Sequence, residues 1–153
     1  MKKILLLSLL STIGTATFAA SNCSISYSTD DTLTAIIQKY HFEFDNYDAV
    51  CQRLKGANAK VSLMYHSFIN TRQTTAVVIA KVSDKNLPIQ SNLYNSAMSS
   101  DPERTTTIEK DLLMSAVNDV LNRITQEHID SLNGNRKELG FKTYPASTNA
   151  NKK

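Results

Sequence analysis

Two cysteines, three histidines and fourteen carboxylates are the first candidates in this chain for thiol, metal or acid–base chemistry. Cys51 stands in "FDNYDAVCQRLKG", among apolar residues at helical spacing. As a nucleophile it would need a thiolate and a base drawn from His41, His66 or His128. The alternative is a disulfide with Cys23. An even cysteine count in an oxidising compartment favours pairing. Closing the 28-residue separation (51 − 23) would stabilise a small domain by about 3.5 kcal/mol on the chain-entropy model. A paired sulfur has no thiolate to offer, no cysteine-hydrolase signature surrounds Cys51, and the close Cys-x-x-Cys spacing of redox pairs is missing. Cys23 and Cys51 are therefore predicted to be bonded to each other.

Metal chemistry has one candidate, His41-x-Glu43-x-Asp45, whose donors share a face if this stretch is extended. A solvated polar edge opposite Tyr40, Phe42 and Phe44 explains the same pattern, and no metal or other cofactor is assigned. Asp30-Asp31 and Glu109-Asp111 resemble acid–base pairs, but carboxylates near helix starts are accounted for by capping and the helix dipole. His66, between Met64 and Phe68 in a strand-like run, reads as a partly buried histidine. No GxSxG, HExxH or GxxxxGK[ST] motif occurs.

The chain opens "MKKILLLSLLSTIGTATFAASNCS": two lysines, a short apolar run from Ile4 to Leu10, and small residues leading to a cleavage point after Ala19. That pattern predicts a bacterial export signal over residues 1–19 and a periplasmic or secreted product. The apolar run is shorter than the roughly 20 residues that span a bilayer. Cleavage would leave 134 residues (153 − 19), enough for one domain over 20–144. Lys+Arg falls from 17 to 15 against 14 Asp+Glu, a net charge near +1. Nothing in that balance calls for nucleic acid, and no later stretch is apolar enough for stable membrane insertion.

Leu33, Ile36, Ile37 and Tyr40 predict a helix capped by Asp31 or Thr32. After an extended "YHFEFD", Tyr47, Val50, Cys51 and Leu54 predict a second, capped by Asp45 and stopped at Gly56. "AKVSLMYHSFI" and "TTAVVIAKVSD" are rich in β-branched and aromatic residues, with "NTRQ" to turn the chain between them. The second run is apolar on both faces, as in a strand covered on both sides. Residues 84–101, with Pro88 and many Ser and Asn, read as a long loop. Its Leu93, Tyr94 and Met98 are the candidate partner contacts, because Tyr and Met recur in binding surfaces. From Pro102 to Leu132 runs one helical pattern, stopped by Asn133-Gly134. At about 46 Å it exceeds a small domain's width, so a break, a frayed start at the threonines or a protruding end is expected. "LGFKTY" offers a last short strand, and residues 145–153 a disordered tail.

The expected fold is α+β: a small antiparallel sheet built on a central hairpin over residues 59–83, with N-terminal helices and one long C-terminal helix packed on it. The expected function is a non-catalytic envelope protein that binds another protein or a cell-wall component. A periplasmic inhibitor or immunity protein against an envelope-targeting toxin is a narrower form of that expectation. A small envelope hydrolase is the competing class.

Overall fold

The computed structural model describes residues 23–145. The predicted leader and, Pro145 apart, the predicted tail lie outside the described residues. In chain order the elements are β1 (Tyr27–Ser28), α1 (Asp31–Tyr40), α2 (Tyr47–Gly56), β2 (Ala59–Ile69), β3 (Thr74–Asp84), β4 (Gln90–Asp101), α3 (Thr106–Asn122) and α4 (Gln126–Glu138). The class is α+β.

The sheet order is β1-β2-β3-β4. β2 and β3 pair antiparallel from Ala59↔Asp84 to Ile69↔Thr74, across a turn in which Asn70 Oδ1 accepts from the N–H groups of Arg72 and Gln73. The expected all-antiparallel sheet is instead mixed, because the two residues of β1 pair parallel with Val61 and Ser62. The predicted loop over 84–101 is largely β4, antiparallel to β3 from Thr74↔Asp101 to Lys81↔Tyr94. Asp84 Oδ1 closes the short β3–β4 turn by accepting from the N–H groups of Asn86 and Leu87.

Ala76, Val78, Ala80 and Val82 point from β3 to the helical side and are all buried. Their small volumes let α3 lie close, with Leu113, Val117, Val120 and Leu121 completing the core. The C-terminal helical pattern is not one continuous helix: of the outcomes its length left open it takes the break, dividing at residues 123–125 into α3 and α4. Arg53 of α2 donates to the Ile124 carbonyl at 2.7 Å, satisfying one acceptor freed by the break. Asn133-Gly134 does not stop α4, which runs on to Glu138. "LGFKTY" forms no strand: Asn133 holds both the N–H and the carbonyl of Tyr144, laying this segment back over α4.

The capping residues also differ from expectation. Asp30 caps α1, accepting from Leu33 N–H at 2.9 Å, and α3 begins at Thr106 rather than Pro102, with Thr105 accepting from Ile108 N–H at 3.2 Å. Asn46, not Asp45, precedes α2, and its N–H is taken by Asn122 of α3. His41 ends α1 at φ 58°, ψ 166°, a region that side chains strongly disfavour.

Candidate functional site

The Cys23–Cys51 disulfide is present, with Cα atoms 6.0 Å apart and both residues buried. It fastens the segment before β1 to α2, and the Tyr47 hydroxyl donates to the Cys23 carbonyl alongside it. Cys51 therefore supplies no thiolate to His41, His66 or His128. The His41, Glu43 and Asp45 donors do not converge either. His41 lines one cleft with Tyr27 and Phe42, whereas Glu43 and Asp45 line another with Asn118 and Asn122. Termination of α1 at His41, with 41–44 outside any strand, removes the alternation that would have aligned them.

The side of the sheet away from the helices presents a different surface. Alternation along three paired strands builds it in rows: Ser62–Lys81–Tyr94, Met64–Ile79–Ser96, His66–Val77–Met98 and Phe68–Thr75–Ser100. Met98 is 73% exposed, Tyr94 60% and Met64 55%. Phe68 is also exposed, and Val77 and Ile79 are half-buried beneath these larger side chains. β3 is thus covered on one side only by the described elements, contrary to the two-sided cover its apolar sequence predicts. The most exposed apolar side chains of the three strands are gathered on one face rather than scattered.

Of the predicted contacts, Tyr94 and Met98 stand four residues apart on this face. Leu93 is exposed but belongs to the irregular stretch where pairing slips between Lys81↔Tyr94 and Ser83↔Gln90. There the Ser91 hydroxyl accepts from Leu93 N–H. Sequence reasoning left Met64, Phe68, Val77 and Ile79 out of the site. The alternation of β2 placed Met64 and Phe68 together, but only the β3–β4 register brings Tyr94 and Met98 beside them.

Behind β4, Asn95 faces the helices. Its side-chain amide donates to the Val120 carbonyl at 3.0 Å, and its oxygen meets His128 Nε2 at 3.2 Å. His128 Nδ1 accepts from Thr125 N–H at 3.2 Å, so the ring's single proton sits on Nε2. One imidazole thereby caps α4 and tethers β4 between Tyr94 and Ser96. Burial holds its pKa below the ordinary 6.5; Glu127 opposes that shift and Arg53 reinforces it. In the window between the folded value and 6.5 the unfolded chain binds more protons. Stability is therefore full above pH 6.5 and falls as acidification proceeds through the window below it. Urea midpoints measured across this range should drop toward acid in the native chain and flatten in His128→Gln. An equal slope in both would refute the assignment.

No family model matches the chain, and searches of curated proteins and of solved structures return no match.

Proposed function

We propose that this chain is an exported, non-catalytic binding protein of the bacterial cell envelope, with the open face of its sheet as the contact surface for a protein partner. The observation that carries the reading is the convergence of Met64, Tyr94 and Met98, each more than half exposed, on one face of three paired strands. Tyr supplies a rigid amphipathic anchor at little entropy cost, and Met supplies an adaptable one. The disulfide supports export, because such bonds persist in oxidising compartments. Leader removal after Ala19 completes the reading.

Intact mass of the natively purified protein tests the export half: a chain lacking residues 1–19 and without free thiols is expected. A retained leader or two alkylatable sulfhydryls would count against it. For the surface, a photo-crosslinking side chain is placed at Met98 and, as control, at exposed Asp111 on α3. A discrete adduct is expected from position 98 alone, weakened at least fivefold by Tyr94→Ala. Equal adducts from both positions, or indifference to Tyr94→Ala in a folded variant, would remove the face from consideration.

A further inference from the structure

The open face carries charge of one sign. Its positions on β2, β3 and β4 hold Lys60 and Lys81 and no Asp or Glu, although the whole chain contains 14 acidic residues. Lys60 and Lys81 stand at one end, where Ser62 pairs with Lys81 and Lys60 with Ser83. Phe68 and Met98 stand toward the other. Between the Lys81 row and the Met98 row lie about 14 Å, four residues at about 3.4 Å each. The face is cationic at one end and apolar at the other.

Given that this face is the binding surface proposed above, we infer that its partner is a protein segment with carboxylates at one end and a large apolar side chain at the other. The carboxylates meet Lys60 and Lys81, and the apolar group enters between Met64, Val77 and Met98. A second copy of the chain fits poorly. Packed one way it sets lysines against lysines, and packed the other it buries unpaired ammonium groups against Phe68 and Met98. A bilayer fits poorly too, since Ser96 and Ser100 alternate with the apolar positions and would lose their water. The backbone footprint is small, about 27 Å along β2 by about 10 Å across the strands. Charge steering helps decide which partner docks on a patch of this shape.

The test uses the full mature protein and three probes: a synthetic peptide with two glutamates at one end and Leu-Phe at the other, its lysine counterpart, and phosphatidylglycerol vesicles. Binding is followed by amide chemical shifts. The glutamate peptide is expected to perturb β2, β3 and β4 residues of the open face and to bind at least tenfold more tightly than the lysine peptide. Lys60→Glu with Lys81→Glu should weaken it tenfold or more, as should raised salt. If Met98→Asp abolishes binding while the charge reversals change nothing, the charge inference falls and the binding face stands. If neither change matters, or the shifts map elsewhere, both fall. Binding of vesicles alone, or of no probe at all, also overturns the inference. All substituted side chains are at least partly solvent-exposed, and circular dichroism confirms that each variant is folded.

Discussion

Replacing Arg136 with alanine is expected to lower unfolding stability by about 3–5 kcal/mol, the usual consequence of stripping one partner from a buried ion pair. Arg136 is wholly buried, yet all five of its guanidinium donors are used. Nε reaches Asp84 Oδ2 at 2.8 Å and Nη2 shares the same oxygen. Nη1 donates to the Ala57 carbonyl and to Asn133 Oδ1, both at 3.0 Å, and Nη2 also donates to the Asn58 carbonyl at 3.1 Å. The Tyr144 ring lies 4.7 Å from the guanidinium carbon. One side chain therefore joins α4 to the α2–β2 turn and to the end of β3. Asn58 needs that support, because it holds the left-handed conformation at φ 46° while also accepting from Lys85 N–H.

Alanine at 136 leaves Asp84 Oδ2 without its cationic partner in a buried site and takes one donor each from the Ala57 and Asn58 carbonyls, the latter keeping Lys85 N–H. Arg136→Lys should recover little, since three donors on a point charge cannot reproduce a planar five-donor fork. In a double-mutant cycle, adding Asp84→Ala to Arg136→Ala should cost clearly less than the sum of the two single changes. Additive losses, or a loss below about 1 kcal/mol for Arg136→Ala, would show that the pair is not the brace its geometry describes. Burial pushes the Asp84 pKa up, but the Asn86 and Leu87 N–H groups and Arg136 outweigh burial and hold it below the ordinary 3.8. The carboxylate's contribution is thus complete above pH 3.8 and is lost as pH falls through the lower folded value.

Removing the disulfide ranks second, with about 2–5 kcal/mol expected for Cys23→Ala/Cys51→Ala. The loop it closes has a sequence separation of 28. Within that loop lie β1, α1 and the first half of α2, which hold few hydrogen bonds to the sheet beyond the two-residue β1 pairing. The reduced native chain should match the double variant in urea midpoint, and both should expose Tyr27 and Ile25 amides to faster hydrogen exchange. Protection at β2 and β3 should persist longer, since their eleven-residue ladder is independent of the bond. Stabilities within about 1 kcal/mol of the oxidised chain would mean that α1 and α2 are held by packing alone.

Strand segments 59–69 and 74–84 were readable because β-branched and aromatic residues state a local preference, and the disulfide because two cysteines leave one pairing. β4 was not readable. In "QSNLYNSAMSSD" the apolar residues fall in adjacent pairs rather than alternating, and Asn95, the helix-facing residue beside Tyr94, is polar. It is acceptable there only because His128 and the Val120 carbonyl are waiting for it. The length of the pattern left room for a break, but its position at 123–125 was not legible for the same reason, since His128 reads as an ordinary helical residue until Thr125 N–H and Asn95 engage its two nitrogens. Nothing local to Arg136 marks it as buried, and its partner Asp84 lies 52 residues away.

By itself the sequence determined the α+β class, two of the strands and the bonded cysteines, because these follow from residue type and short-range spacing. Tertiary structure alone decided that Tyr94 and Met98 share a face with Met64 and Ile79, and that Asp84 meets Arg136. Those pairings are set by strand register and by the burial of distant polar groups, which exist only once the chain has closed on itself.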